Sequence, residues 1–400
     1  MELVTHALCG LGLSQCHSPW AGRRDVAGVL VAASLLPDID AVFVFVDPTS
    51  AALQRRMWTH SLVFLPPVAI GAALLFFLLF RRLSLSTAFI LTALGVSVHL
   101  LLDLINAYGV GLLYPVSSDR FELPLLFIAD PVIIGLLAVV PLCGWLYRSR
   151  NHQRTWPARC AFAAIAIYVG LSFHLREVAL AQSKSLRPGD SELAYLTPEP
   201  FAPFRWKAIY DAGGAFEQAV VFPLGGRVER LGPVASCAGH PLVVRARADP
   251  IVREVENLLK APVWSVRGQR VSVFDLRFRF SNLENDWDPF VFSFDVGRED
   301  IRLVRTSLRE RFAQAVAMVR DVFVHAADDG RSKAAHIKDA SGSSIALTAL
   351  RKPISSETAV ERAEGGTEQE AAEPYPAPAM PCPKADAKRP REAATRPGST

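Results

Sequence analysis

Imidazole and carboxylate side chains recur through the apolar first third of this sequence. His99 and Asp103 are four residues apart, so a helix would place both on one face, where they can hold one ion. Asp38 and Asp40 follow Pro37, which interrupts an apolar stretch and leaves oxygen atoms available to line a shared cavity. Each such group is costly in hydrocarbon, so their recurrence indicates a functional site. We predict a polar, metal-binding site formed by His6, Asp38, Asp40, His60, His99 and Asp103.

The residue types in this set favour one kind of chemistry. Imidazole nitrogen combined with carboxylate oxygen suits a divalent metal ion, with zinc favoured and manganese or iron fitting an octahedral or two-metal site. Such an ion would acidify water enough to supply hydroxide near neutral pH. We predict Asp40 as a general base, while Arg56 and Arg120 would neutralise an anionic substrate or transition state. The predicted metal ligands are His6, Asp38, His60, His99 and Asp103.

Apolar stretches of about 20 residues, long enough to cross a bilayer, surround these groups. They are Leu62–Phe80, Thr87–Ile105, Leu125–Leu146 and Arg159–Leu175. Val26–Val46 has a similar length but is cut by its proline. Leu3–Gln15 is short for a span, so we expect it to form a hairpin with Val26–Leu36. The sequence predicts an α-helical polytopic membrane domain over residues 1–180.

The flanking arginines predict the orientation of these stretches. Most of them fall in alternate connections, which the positive-inside rule assigns to the cytoplasm. They are Arg23, Arg24, Arg81, Arg82, Arg148, Arg150, Arg154 and Arg159. In this orientation the predicted site residues converge on the outer leaflet, and the chain after about Phe173 is extracytoplasmic.

The rest of the chain has a different composition. Residues 185–325 resemble an ordinary soluble sequence, and residues 355–400 contain too little apolar material to fold. Asp249 and Pro250 fit the N-cap and first position of a helix. The predicted strands are Arg270–Phe280 and Phe290–Val296, and the predicted helices are Ile251–Lys260 and Arg305–Val324. We expect a small α+β extracytoplasmic domain followed by a disordered C-terminal tail.

The sequence lacks the signatures of several classes of function. The net charge of +4 over 400 residues, without a basic stripe interleaved with aromatics, argues against nucleic-acid binding. No nucleophile elbow or phosphate-binding glycine loop is evident. The six cysteines have no C-x-x-C spacing, so we expect apolar packing residues rather than a disulfide framework.

As an ordered set, the motifs of residues 1–180 resemble the membrane-bound metal-dependent hydrolases of the bacterial inner membrane, also labelled LexA-binding, inner membrane-associated hydrolases. They are Thr5-His6, Leu36-Pro37-Asp38-Ile39-Asp40, Arg56-x-x-Thr59-His60-Ser61, His99-x-x-x-Asp103, Asn106-x-Tyr108-Gly109, Pro115, Arg120 and Asp130-Pro131. The resemblance implies an inner-membrane location and hydrolysis of an unstated substrate. Family members often read His-Arg-Gly where this chain has Arg55-Arg56-Met57, so one possible ligand or acid is missing.

The leading interpretation is a metal-dependent hydrolase that uses metal-activated water. Because the predicted site would lie at the depth of the lipid headgroups, we expect its substrate to be a lipid-linked or membrane-delivered ester or phosphoester. Membrane lipid is accordingly the expected binding partner. An ion-coupled transporter is an alternative, since intramembrane Asp and His also build proton relays, although no internal repeat typical of carriers is evident. A non-catalytic membrane anchor that presents the outer domain to a protein partner is a further alternative.

Overall fold

The computed structural model describes residues 3–45, 53–146, 155–186, 191–199, 204–279, 281, 291–297 and 300–304. The predicted helix Arg305–Val324 and the predicted disordered tail at residues 355–400 lie outside the described residues.

Apolar helices form the first part of the described chain. They are α1 (Leu3–Cys16), α2 (Arg24–Leu35), α3 (Leu65–Leu79), α4 (Leu85–Leu104), α5 (Pro131–Leu146) and α6 (Trp156–Ser185). α1 packs against α2, which confirms the predicted hairpin. The predicted break is also confirmed, because α2 ends at Leu35 and a 3₁₀ helix spans Leu36–Phe45. Proline 37 explains this change, since it lacks the amide that an α-helix needs.

Two of these helices, α4 and α6, are long and apolar enough to cross a membrane. Helices α1, α3 and α5 are apolar but shorter. The 15 residues of α3 rise about 22 Å, less than the hydrocarbon thickness of a bilayer. The helical character of the N-terminal region is therefore confirmed, and its multi-pass arrangement stays a prediction.

Glycines let α2 pack very closely against both α1 and α4. A Cβ atom on Gly10 of α1 would lie 2.6 Å from the carbonyl oxygen of Leu30. A Cβ atom on Gly95 of α4 would lie 2.7 Å from the Cβ atom of Ala33. Both distances are shorter than real Cβ contacts, so only glycine fits here. The close approach brings α1 and α4 together beside the C-terminal end of α2.

A small strand-rich domain follows α6. Its first sheet is an antiparallel meander of β1 (Glu192–Pro198), β2 (Trp206–Asp211), β3 (Ala215–Phe222) and β4 (Arg227–Ala235). Two short helices follow, α7 (Pro241–Ala246) and α8 (Pro250–Leu258). The second antiparallel sheet contains β5 (Pro262–Arg267), β6 (Arg270–Asp275), β7 (Phe292–Val296) and β8 (Ile301–Leu303). This architecture confirms the α+β class predicted for the second part of the chain.

Two predicted elements of this domain have their expected positions. The Asp249 side chain accepts a hydrogen bond from the Ile251 amide at the start of α8, as an N-cap does. The predicted strands at residues 270 and 290 pair antiparallel as β6 and β7. However, β6 ends at Asp275, because this side chain accepts from the Arg277 amide and begins a 3₁₀ turn.

One cysteine differs from its predicted role. Cys237, which is buried in the core of the strand-rich domain, is disulfide-bonded. The expectation of unpaired packing cysteines is wrong for this residue, since the spacing of cysteines in the sequence does not reveal which of them form disulfides. The free cysteines are Cys9, Cys16, Cys143 and Cys160, while Cys382 lies outside the described residues.

Candidate metal centre

Four separate segments contribute to one buried polar cluster. α1 carries His6, and α4 carries His99 and Asp103. The 3₁₀ helix after α2 carries Asp38 and Asp40, and a single 3₁₀ turn at Trp58–His60 carries His60. The predicted site residues with at most 3% of their surface exposed are His6, Asp38, Asp40, Arg56, His60, His99 and Asp103.

Four of these residues form a group that suits a metal ion, which we call the four-donor group: Asp38, His60, His99 and Asp103. One ligand atom from each lies within 4.8 Å of the others. The Nε2 atoms of His60 and His99 are 3.0 Å apart, and they lie 3.1 and 3.4 Å from Oδ2 of Asp103. Neighbouring ligands around tetrahedral zinc are separated by roughly 3.3 Å, as bond lengths of about 2.0–2.1 Å require.

Hydrogen bonds on the opposite side of each imidazole select its tautomer. His99 Nδ1 lies 2.6 Å from the Ser34 carbonyl oxygen, which only accepts, so this nitrogen carries the hydrogen. Thr59 Oγ1 donates to Asp40 Oδ2 and lies 2.9 Å from His60 Nδ1, so His60 donates to the hydroxyl. In the neutral rings, both Nε2 atoms therefore direct lone pairs towards Asp103.

These converging lone pairs suit a cation between them. A proton joins only two atoms, whereas the four-donor group offers a donor set and a separation that fit a divalent metal. Asp38 adds an independent indication, because its Oδ2 atom is buried and has no hydrogen-bond partner within the described structure. The residues present thus fit a metal ion with two imidazole and two carboxylate ligands.

His6 lies beside this group and contacts its carboxylate from the other side. Its Nε2 atom is 3.2 Å from Oδ1 of Asp103, and its ring stacks on His99 with centroids 3.7 Å apart. The contact orients Asp103, as groups behind metal ligands commonly do. The sequence predicts His6 as a ligand, and the structure places it outside the four-donor group.

Arg56 supplies positive charge to the same carboxylate. Its Nε atom is 2.9 Å from Oδ2 of Asp103, and Nη1 donates to Asn106 Oδ1 at 3.2 Å. The guanidinium also lies over the Tyr108 ring, 4.9 Å from its centroid. Arg56 has a φ of 59°, which is unfavourable for a residue with a side chain. This strained conformation directs the guanidinium into the site.

Asp40 and Arg120 form hydrogen bonds with the loop around Arg56. Asp40 Oδ2 accepts from the Arg56 amide and from Thr59, at 2.8 Å each. Arg120 donates at 2.9 Å to the carbonyl oxygens of Arg55 and Leu53. Both residues therefore help to hold this loop in place, and the catalytic roles predicted for them stay predictions.

Some groups that position the site residues could not be predicted from the sequence. The Ser34 carbonyl that fixes His99 has no signature, because every residue carries a carbonyl. Asn106 donates to Oδ1 of Asp103 at 3.3 Å, although its place after α4 indicates only a helix terminus. Thr59, which orients His60, has one sequence signal, its position directly before a histidine.

The strand-rich domain contacts the loop that follows α4. Arg277 Nη1 donates to the Ala107 carbonyl oxygen at 2.9 Å and lies 3.1 Å from Glu122 Oε2. Its Nη2 atom lies 2.8 Å from Asp275. Burial raises the pKa of the neighbouring Tyr195, so this hydroxyl stays protonated beside the guanidinium. These contacts fix the loop that carries Asn106 and Tyr108.

Comparison with known proteins adds one finding. No curated protein and no solved structure matches the chain. A family model described as YdjM inner membrane protein matches residues 1–179. The matched segment contains the complete four-donor group, and the match confirms the resemblance inferred from the ordered motifs. Residues 1–179 are therefore similar to the YdjM inner membrane protein family.

Proposed function

We propose that this protein is a metal-dependent hydrolase of the bacterial inner membrane, acting on a lipid-linked or membrane-delivered ester or phosphoester. The proposal is supported chiefly by the convergence of four buried donor atoms within 4.8 Å. A divalent ion held there supplies Lewis acidity, which polarises a carbonyl or phosphoryl oxygen and acidifies water. Two imidazoles with carboxylates favour zinc, and manganese or iron would also be accepted.

The residues around the four-donor group have distinct tasks in this proposal. Ser34 and Thr59 hold the two imidazoles in the tautomers that leave Nε2 available as a ligand. Arg56, which already contacts Asp103, provides a preorganised positive charge for an anionic substrate or transition state. Asp40 keeps Arg56 in place through its backbone amide.

The position of the ligands along α4 supports a substrate at the membrane surface. α4 spans Leu85–Leu104, so His99 and Asp103 lie in its last two turns. In a helix long enough to cross a bilayer, such positions are near the headgroups, where ester and phosphoester bonds of lipids are found. The disulfide at Cys237 favours an extracytoplasmic strand-rich domain, because disulfides persist in the periplasm.

Elemental analysis of the purified protein tests the proposal. We expect about one transition-metal ion per wild-type chain, consistent with a single set of four ligands. His60→Ala removes a ligand and should lose the metal. His174→Ala is the matched control, because His174 is an exposed imidazole on α6, and this variant should keep it. Wild-type protein without metal would refute the proposal.

Ion-coupled transport is the second candidate, favoured by the continuous contacts from His6 through Asp103 to His60. Buried His and Asp in such contact can relay protons. Proton flux in vesicles reconstituted with metal-free protein would favour the transporter, whereas metal-dependent hydrolysis without flux would favour the enzyme.

A further inference from the structure

Arg55 joins the two carboxylates that follow α2. Its Nη2 atom donates to Asp38 Oδ1 at 2.7 Å, and its Nη1 atom donates to Asp40 Oδ1 at 2.5 Å. Charge-assisted bonds of this length are among the strong hydrogen bonds of proteins. One guanidinium thus occupies the space between two carboxylate oxygens, which is where a bridging cation would bind.

The loop around Arg55 is fixed independently of its side chain. Arg120 donates to the Arg55 carbonyl oxygen, and the next amide, that of Arg56, donates to Asp40. The guanidinium is consequently directed at the carboxylates by the backbone. A guanidinium is a cation whose planar fork of donors matches carboxylate oxygens, so it suits the space between the two aspartates.

The charge balance of the cluster indicates what Arg55 does. The carboxylates of Asp38, Asp40 and Asp103 face the guanidiniums of Arg55 and Arg56, which leaves a single net negative charge beside neutral imidazoles. One divalent ion makes the cluster singly positive. A second would raise it to three positive charges in a buried site, which is strongly unfavourable.

We propose that Arg55 is a fixed cation that takes the place of a second metal ion and restricts the centre to one. This inference rests on the proposed metal site and specifies its stoichiometry. Asp38 is shared: Oδ1 binds Arg55, while the partnerless buried Oδ2 remains for the metal ion of the four-donor group. Asp40 binds the Arg55 guanidinium through its Oδ1 atom and is not a member of the four-donor group.

Metal stoichiometry at saturation, measured by titration calorimetry and elemental analysis with zinc or manganese, tests this role. Wild-type protein should bind a single ion per chain. Arg55→Ala frees the Asp38 and Asp40 oxygens and should double the metal content. Arg55→Lys retains the charge and should bind a single ion. Arg23→Ala is the matched control, because Arg23 pairs with Asp25 away from the cluster.

The outcomes separate this inference from the proposed function. Wild-type protein that binds no metal contradicts the metal centre itself. Wild-type protein that binds two ions, or folded Arg55→Ala that still binds one, overturns the role of Arg55 alone. If Arg55→Ala does not fold, Arg55→Gln keeps hydrogen-bonding groups without the charge, and the same doubling is expected. Adding Asp40→Asn to either variant should return the stoichiometry to one.

Discussion

At the scale of single residues, most contacts of the site meet at Asp103. Its Oδ2 atom lies 2.9 Å from Arg56 Nε and 3.1 Å from His60 Nε2. Its Oδ1 atom lies 3.2 Å from His6 Nε2 and 3.3 Å from Asn106 Nδ2. These contacts use the negative charge of the carboxylate, which offsets the cost of its burial. Charge, more than shape, is therefore the property of this residue on which the site depends.

Asp103→Asn separates charge from shape, because the amide retains the size and one acceptor oxygen. We expect the variant to insert and fold, yet to lose most of its bound metal and any hydrolytic activity. Elemental analysis and thermal melts of the purified variant measure both effects. Asp130→Asn is the control, since Asp130 is equally buried but caps α5 and accepts from Tyr168 instead. Folded Asp103→Asn with a full complement of metal would show that no ion is shared.

Residue types and spacing indicate only part of this arrangement. The i, i+4 spacing suffices to place His99 and Asp103 on one face of a helix, and the structure has them 3.4 Å apart. Whether Asp38 or Asp40 faces the imidazoles depends on the 3₁₀ geometry after α2, which the sequence does not specify. The bridge formed by Arg55 is likewise a product of the tertiary fold. It contacts Asp40, which is 15 positions away in the sequence, and Asp38, which is 17 positions away.

At the scale of elements, the position of α2 between α1 and α4 determines the site. Glycines at the contacts remove the side chains that would separate the helix backbones. The Ser34 carbonyl near the end of α2 can then reach His99 on α4. Helix packing and ligand orientation are consequently coupled.

Gly95→Ala tests this coupling. The added Cβ atom would lie 2.7 Å from the Ala33 Cβ atom and 3.1 Å from the Ser34 amide nitrogen, so α2 must move away from α4. We expect a lower melting temperature and metal affinity weakened by about 10-fold or more, because the support of His99 is displaced. Calorimetric metal titration measures the affinity.

Gly71→Ala provides the control, because nothing lies within 4 Å of a Cβ atom at that position on α3. It should leave the metal affinity unchanged, and its effect on stability should be small. Gly95→Ala with wild-type affinity would mean that ligand orientation does not depend on this helix contact.

Apolar runs predict the existence of these helices better than their ends. The apolar run predicts one helix over Leu125–Leu146, but α5 starts only at Pro131. Leu125 and Leu126 are buried in a non-helical segment whose amides both donate to the Ile105 carbonyl oxygen. Composition alone does not distinguish a buried extended segment from a helix. The start of α5 is instead determined by Asp130, which accepts from the amides of its first turn.

At the scale of the whole molecule, the strand-rich domain supports the loop next to the candidate metal centre. Arg277 reaches Ala107 across 170 positions of sequence, and it is almost completely buried. No local pattern in the sequence predicts a contact over such a distance. The arrangement implies that the helical region and the strand-rich domain are stabilised together. The side of the membrane on which the strand-rich domain lies therefore also bears on the location of the site.

The cysteines offer a direct test of that compartment. Cys237 in the strand-rich domain is disulfide-bonded, whereas the described cysteines of the helices are free thiols. Disulfides form in the periplasm and are reduced in the cytosol, so this distribution agrees with the orientation predicted from the flanking arginines. We therefore expect Cys237 to be oxidised in cells and protected from alkylation.

The measurement is maleimide labelling of the denatured protein, isolated without reductant and analysed by peptide mass spectrometry. Cys237 should remain unlabelled until a reductant is added, while Cys9 and Cys160 label in both conditions. In cells that lack periplasmic thiol–disulfide oxidases, the Cys237 thiol should become reactive, because its oxidation requires an acceptor for two electrons. Full labelling of Cys237 without reductant would contradict the disulfide and remove this support for an extracytoplasmic strand-rich domain.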